Sequence, residues 1–112
     1  MKHLKTIFVT TFFACFFNTF LIAQSATQNV RGTVIDKISQ SPLPGAIIQI
    51  VNSNPIIATA SDNEGNFLLS NVSVGKQTLK ISFLGYKEIT MQNLSVNAGK
   101  ELVLTVQLEE DI

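Results

Sequence analysis

Hydrophobic and polar residues alternate along most of the chain after residue 29, most regularly over residues 77–83. The hydrophobic residues Leu79, Ile81 and Phe83 fall on one face of that segment, and the polar residues between them fall on the other. Because successive side chains of a strand point to opposite faces, this pattern predicts a half-buried antiparallel strand. Phe83 and Phe67 are expected to contribute most to the core. Phe83→Ala is predicted to cost about 3 to 5 kcal/mol of stability.

Six further strands are predicted from similar runs bounded by residues typical of turns. They cover residues 30–36, 46–51, 56–60, 66–70, 86–92 and 102–108. Gly32, inside the first run, indicates a bulge or a close backbone approach. Residues 71–76 are expected to form a connection in which Val72 and Val74 cover the end of the core. Helical periodicity is missing after residue 23. The pattern therefore predicts an all-β fold, a seven-stranded antiparallel β-sandwich.

The first residues have a different pattern. A basic head at residues 1–5 is followed by an apolar run at residues 7–22 and by the small residue Ala23. This order is typical of a secretory signal peptide. A transmembrane anchor is an alternative, since the run approaches the ~18 residues that span a bilayer. A lipoprotein acylated on Cys15 is another.

The predicted organisation is a signal peptide at 1–23, a polar tail at 24–29 and a β-sandwich domain at 30–110. A signal peptide predicts that the chain is exported from the cytoplasm. The mature chain is expected to have no membrane span.

Composition removes several kinds of chemistry from the mature chain. His3 and Cys15 are the only histidine and cysteine, and both lie in the predicted signal peptide. A His-based triad, a Cys nucleophile and a zinc site of the usual ligands are thereby excluded. Lys2 and Lys5 account for two of the eight basic residues, and the other six are scattered among eight acidic ones. Without a basic patch, no nucleic-acid partner is expected.

The densest polar cluster in the middle of the chain runs from Ser61 to Phe67. Asp62, Glu64 and Asn66 alternate like the start of a calcium loop, but such a loop needs about 6 to 8 oxygen ligands. The next residues along the chain are apolar, so the pattern favours a hairpin turn over a weak cation site.

Other candidate residues have structural interpretations as well. Asp36 could join Asp62 and Glu64 in acid–base chemistry, but hairpin carboxylates normally point into water, and we expect Asp36 to cap the loop after the first strand. Pro and Gly residues at 42–45 are explained by backbone angles. Tyr86 is expected to be a buried ring whose hydroxyl bonds to backbone, with stacking on a sugar as the alternative. No catalytic, cofactor-binding or metal-binding residue is predicted.

Four segments, in this order and at normal spacing, resemble the carboxypeptidase regulatory-like domain. The segments are Gly32-Thr33-Val34-x-Asp36, Pro42-Leu43-Pro44-Gly45-Ala46, Thr59-x-x-Asp62-x-x-Gly65-x-Phe67 and Ser82-Phe83-x-Gly85-Tyr86. The resemblance implies a seven-stranded sandwich of the transthyretin-like or immunoglobulin-like kind. In Bacteroidota such a domain commonly stands at the N-terminus of TonB-dependent receptors, directly after the signal peptide.

The resemblance implies a non-catalytic periplasmic interaction domain of a TonB-dependent outer-membrane nutrient receptor. Its partner would be a protein of the periplasm or outer membrane, and no cofactor is implied. The plug and barrel of a receptor are not among these 112 residues, so a truncated receptor N-terminus is expected. The alternative is a stand-alone secreted β-sandwich that binds a carbohydrate or a cell-surface partner.

Overall fold

The computed structural model describes residues 26–112, so the predicted signal peptide and its two alternatives lie outside the described residues. The seven strands are β1 (Thr27–Asp36), β2 (Ile47–Ile50), β3 (Ala58–Ala60), β4 (Asn66–Ser73), β5 (Gly75–Ser82), β6 (Ile89–Val96) and β7 (Leu102–Leu108). The predicted all-β sandwich is confirmed. Within residues 26–112 there is no helix of the length and apolar character needed to cross a bilayer.

The strands form two sheets, one in the order β4-β1-β7 and the other in the order β3-β2-β5-β6. All neighbouring strands are antiparallel except β1 and β7, which run parallel from Val30 opposite Leu102 to Asp36 opposite Leu108. A parallel pair needs a long connection, and here β2 to β6 lie between the two strands along the chain.

The core lies between the two sheets and is made of fourteen buried apolar side chains. They are Val30, Val34, Leu43, Ala46, Ile48, Ile50, Phe67, Leu69, Val72, Leu79, Ile81, Val96, Val106 and Leu108. Phe67 is 5% exposed, as expected, but Phe83 is only partly buried and packs against the edge of the core. The predicted cost for Phe83→Ala was therefore too large. All fourteen of these residues lie between Val30 and Leu108.

Two asparagines account for the errors in the predicted ends of β4 and β6. Asn71 and Asn93 have φ values of 60° and 59°, and each lies at an irregularity in strand register. Asparagine tolerates this left-handed conformation, which is why both positions were predicted to lie in turns. The structure uses them as bulges, and β4 and β6 continue beyond them. Val74 is 38% exposed and does not cover the core.

Gly32 marks a close backbone approach and not a bulge. It pairs in regular register with Phe67 of β4 and Leu104 of β7. A Cβ atom at Gly32 would overlap the carbonyl oxygen of Leu104 and lie 2.9 Å from the Phe67 ring. Only glycine fits between these two neighbours.

Candidate functional site

The polar turn at residues 61–67 is held together by Asp62. Its Oδ1 accepts the backbone N–H groups of Glu64 and Asn66, each at 2.9 Å. The Asp62 carbonyl accepts the N–H of Gly65 at 2.9 Å, and the Asp62 N–H donates to the Asn66 carbonyl at 2.8 Å. A turn at this position is confirmed, because one oxygen of the exposed carboxylate binds the backbone of the turn itself. The predicted hairpin is wrong: β3 and β4 lie in different sheets, so the turn carries the chain from one sheet to the other.

Two neighbouring residues attach this turn to the rest of the domain. The carbonyl of Gly65 accepts the N–H of Val34 at 2.8 Å, which joins the turn to β1. Ser61 is 6% exposed. Its hydroxyl donates to the Leu43 carbonyl at 2.6 Å and accepts the N–H of Ala46 at 2.8 Å. This role of Ser61 was not predicted, because nothing near it in the chain indicates a partner 18 residues away.

The three carboxylates considered for acid–base chemistry do not form one site. Asp36 lies at the end of β1 and bonds to Tyr86, whereas Asp62 and Glu64 lie in the polar turn. Within residues 26–112 there is no group of three or more acidic side chains, histidines or cysteines that could hold a metal ion.

Asp36 and Tyr86 form a polar contact between residues 50 positions apart in the chain. The Oδ1 atom of Asp36 accepts the N–H groups of Ile38 and Ser39 at 2.8 and 2.9 Å, which confirms the predicted cap. Its Oδ2 atom accepts the hydroxyl of Tyr86 at 2.7 Å. The expectation that this hydroxyl bonds to backbone was wrong. The partly buried Tyr86 ring packs against the core and Phe83, with ring centroids 5.5 Å apart, which brings the hydroxyl to a carboxylate already oriented by the loop.

The hydrogen bonds of this pair change both pKa values. The Tyr86 hydroxyl, followed by the N–H groups of Ser39 and Ile38, holds the pKa of Asp36 below its usual value. The bond to Asp36, burial, and the negative charges of Asp36 and Glu110 raise the pKa of Tyr86 to about 12. Near neutral pH Asp36 is therefore ionised and Tyr86 is protonated. Neither group is poised for proton transfer, which usually needs a pKa close to the working pH.

The segment after β7 is hydrogen-bonded to residues 85–87, the corner that carries Tyr86. The Glu109 carbonyl accepts the N–H of Lys87 at 2.9 Å, and the Gly85 carbonyl accepts the N–H of Asp111 at 2.9 Å. An exposed ion pair joins Lys87 and Glu109 at 3.5 Å. Residues 109–111 thus connect the end of one sheet to the corner that carries Tyr86.

A polar groove of about 780 Å³ lies between the loop before β3 and the edge strand β4. Four of its lining residues are the amides Asn52, Asn54, Asn71 and Gln77, and none of its lining residues is charged or aromatic. The exposed aliphatic residues Ile56 and Leu68 also line it. Such a lining suits an uncharged polar ligand. No sequence pattern indicated this groove, because its walls come from three separated segments.

Residues 29–109 match the carboxypeptidase regulatory-like domain family. The chain belongs to this family. The match spans all but the two ends of the described domain, and it contains the polar turn, the Asp36 and Tyr86 pair, and the groove. The family is a regulatory-like, non-catalytic one. No curated protein is significantly similar to the chain.

Several solved structures share the fold. A type II cohesin–X-dockerin complex from Acetivibrio cellulolyticus is 25% identical with a TM-score of 0.60, over 72% of this chain and 56% of that chain. A carbohydrate-binding protein from Bacteroides uniformis, described as putative, is 11% identical with a TM-score of 0.60, over 74% and 41%. A catechol 1,2-dioxygenase from Acinetobacter is 12% identical with a TM-score of 0.61, over 80% and 54%. At 11% and 12% identity, the similarity to the last two structures shows a shared fold and nothing more.

The chain spans a little over half of the cohesin–X-dockerin chain. These neighbours share the fold of the chain over 72–80% of its length. The same fold thus occurs in a binding complex, in a protein described as a putative carbohydrate-binding protein and in an enzyme. Function therefore has to be argued from the sites of this chain.

Proposed function

We propose that the chain is a non-catalytic periplasmic interaction domain of a TonB-dependent outer-membrane nutrient receptor, placed ahead of the plug and barrel. The observation that carries the proposal is the family match over residues 29–109, together with the predicted signal peptide before it. The likeness to a cohesin–X-dockerin complex supports a role in protein–protein contact.

Residues 109–111 are hydrogen-bonded to the rest of the domain. This arrangement is consistent with a domain that positions a plug joined to its C-terminal end. The backbone bonds of this segment to Gly85 and Lys87 fix the direction in which the chain leaves the sandwich. A plug joined after Ile112 would therefore be held at a defined place relative to both sheets.

The hydrogen bonds of Asp36 and Asp62 support a non-catalytic role. Asp62 is occupied by the backbone of its own turn, and Asp36 by the loop after β1 and by Tyr86. A hydrolytic activity of the purified protein that disappears with Asp62→Asn would contradict this part of the proposal.

The genomic DNA beyond the codon for Ile112 gives the direct test. An open reading frame that continues into a TonB box, a plug and a barrel would support the receptor proposal, and a stop codon with no receptor sequence downstream would overturn it. Cell fractionation of the tagged chain tests the location independently. The chain should be recovered from the periplasm or outer membrane, and Phe13→Arg in the apolar leader should keep it in the cytoplasm.

A second candidate function is the binding of a neutral carbohydrate by a stand-alone secreted module. The amide-rich, uncharged groove favours it, and so does the fold likeness to the Bacteroides uniformis protein. Titration calorimetry with neutral oligosaccharides is the test. Asn54→Ala should weaken binding about fivefold through the loss of hydrogen bonds, whereas Asn63→Ala in the polar turn should leave it unchanged. Equal effects of the two changes, or no binding at all, would exclude the groove as a glycan site.

A further inference from the structure

The three most exposed large hydrophobic side chains of residues 26–112 belong to three separate segments. Ile38, in the loop after β1, is 88% exposed, and Leu84, in the corner between β5 and β6, is 95% exposed. Ile112, in the segment after β7, is fully exposed. The next in order, Ile56, is 73% exposed and lines the polar groove.

The fold brings these three side chains to one end of the domain. Ile38 and Ile112 line the same cavity of about 260 Å³. The Asp111 N–H donates to the Gly85 carbonyl at 2.9 Å in an antiparallel pairing, whose next two residues are Ile112 and Leu84. Together Ile38, Leu84 and Ile112 form the exit surface, so called because the segment after β7 leaves the sandwich there. Single exposed aliphatic residues are normal, but a cluster of them indicates a contact surface.

The backbone that carries the exit surface is held by hydrogen bonds. The N–H of Ile38 donates to Oδ1 of Asp36 at 2.8 Å. The turn that contains Leu84 is closed by the N–H of Tyr86, which donates to the Phe83 carbonyl at 3.0 Å. Groups that are already ordered lose less conformational freedom when a partner binds. The exit surface is therefore prepared for a contact before the contact forms.

The charged residues beside the exit surface are mainly acidic. Those that line its cavity are Asp36, Lys37, Glu109 and Glu110. Glu109 already has a basic partner in Lys87, whereas no ion pair within residues 26–112 includes Glu110. Complementary charges favour the correct partner and orientation at a contact. The exit surface therefore suits a partner face that is apolar at its centre and carries Lys or Arg at its rim.

We propose that the exit surface packs against the plug that follows Ile112, an inference that rests on the proposed receptor function. Residues 109–111 are bonded to the sandwich, so no free linker precedes Ile112, and a plug begins next to this surface. Three aliphatic side chains are too small a surface for a stable contact between free proteins, which usually buries more than about 1,000 Å². A plug joined to the same chain has an effective concentration in the millimolar range, at which so small a surface is sufficient.

Thiol labelling of the intact receptor tests the proposal. Residues 26–112 contain no cysteine, so Leu84→Cys and the control Ile56→Cys each introduce one thiol into the domain. Contact with the plug should make Leu84→Cys react with a maleimide about tenfold more slowly than Ile56→Cys, as measured by site-specific mass spectrometry. In the 112-residue chain expressed without a plug, the two thiols should react at similar rates, because both positions are exposed there.

The outcomes separate this inference from the receptor function itself. Equal labelling rates at the two positions of the receptor would overturn the contact and leave the receptor function standing. A reading frame that encodes no plug after Ile112 would overturn both. Slow labelling of Leu84→Cys in the 112-residue chain, with a rate that falls as the protein concentration rises, would mean that a second copy covers the exit surface. That result would also overturn the proposal.

Limited proteolysis of the receptor gives a second test. Leu84→Asp places a charge on the exit surface and, because the side chain is exposed, should leave the domain folded. Loss of the contact should make cleavage between the domain and the plug about tenfold faster than in the parent receptor. Ile56→Asp, at an exposed position in the groove, should leave the cleavage rate unchanged. A Leu84→Asp receptor that is cleaved no faster than the Ile56→Asp receptor would overturn the proposal.

Discussion

Asp62 in the polar turn and Asp36 after β1 bind their local backbone in the same way, with one carboxylate oxygen that accepts two N–H groups. They differ in what the other oxygen does. Asp36 is 7% exposed, and its second oxygen accepts the hydroxyl of Tyr86, 50 residues further along the chain. Asp62 is exposed, and the hydrogen bonds of its carboxylate stay within the turn.

The difference separates two uses of the same residue type. The turn at Asp62 contains the densest polar sequence of the domain, but its side-chain carboxylate only fixes the geometry of the turn between β3 and β4. The contact between Asp36 and Tyr86 forms outside this polar cluster. It joins β1, the loop after β1 and the corner before β6. Polar density along a chain is thus a poor guide to long-range coupling.

The two phenylalanines next to these regions give the largest predicted contrast. Phe67 ends the polar turn and is 5% exposed, whereas Phe83 lies beside Tyr86 and is only partly buried. Phe67→Ala should lower the free energy of unfolding by about 3 to 5 kcal/mol, because it leaves a cavity in the core. Phe83→Ala should cost only about 1 to 2 kcal/mol, since less apolar surface is lost from the interior.

Urea unfolding of both variants measures this contrast. Equal losses of stability would mean that the region around Tyr86 is as tightly packed as the centre of the sandwich. A larger loss for Phe83→Ala would reverse the ranking of the two regions.

Gly65 tests how much the polar turn contributes through its backbone. Its φ is +79°, and a Cβ atom there would lie 2.6 Å from the Val34 carbonyl oxygen and 3.0 Å from Cβ of Pro42. Gly65→Val should therefore lower the unfolding free energy by about 3 kcal/mol, through backbone strain and steric overlap together.

Two other glycines serve as controls for Gly65→Val in thermal unfolding. Gly85 also has a positive φ, +87°, but open space around its Cα, so Gly85→Val should cost only about 1 to 2 kcal/mol. Gly99 has neither feature, and Gly99→Val should change stability by less than about 0.5 kcal/mol. Equal effects at Gly65 and Gly85 would show that steric overlap at Gly65 contributes nothing to its cost.

Features that depend on residues close together in the chain could be predicted from the sequence. The alternation around Ile81, the turn at Asp62 and the cap formed by Asp36 depend on interactions between residues close in the chain. Alternating residues and turn residues also predict the seven-stranded sandwich, and the family resemblance implies the same fold. These features were confirmed because local backbone chemistry and the hydrophobic period decide them.

Features that depend on contacts distant in the chain could not be predicted. The hydroxyl of Tyr86 could reach several acceptors, and nothing in its neighbourhood selects Asp36. Asn71 and Asn93 have the same residue type as turn positions, so their use as bulges inside β4 and β6 depends on pairing with other strands. The groove and the exit surface likewise appear only when separated segments are brought together.

Variants of Asp62 test how much the hydrogen bonds within the polar turn contribute to stability, and the expected effects are smaller. Asp62→Ala removes two backbone hydrogen bonds at an exposed position and should cost about 1 kcal/mol. Asp62→Asn keeps an oxygen that can accept the same two N–H groups and should change stability by less than about 0.5 kcal/mol. Thermal unfolding of the two variants distinguishes a carboxylate used as a hydrogen-bond acceptor from one whose charge matters.

Tyr86→Phe differs from the other variants in the pH dependence of its effect on stability. The variant loses one hydrogen bond, from the Tyr86 hydroxyl to Asp36. The pKa of Tyr86 is raised from 10.0 to about 12 in the folded domain, so its contribution to stability is complete below pH 10.0 and disappears as the pH rises through about 12. The difference in unfolding free energy between parent and Tyr86→Phe should therefore shrink over this interval.

The difference in unfolding free energy between parent and Tyr86→Phe should also disappear at acidic pH. Because folding lowers the pKa of Asp36, its contribution is present above pH 3.8 and is lost as the pH falls through the lower pKa of the folded state. Urea unfolding of the parent and Tyr86→Phe at neutral pH, near pH 10 and near pH 12 measures the alkaline limb. A difference that stays constant across these conditions would contradict a stabilising contribution from the hydrogen bond between the Tyr86 hydroxyl and Asp36.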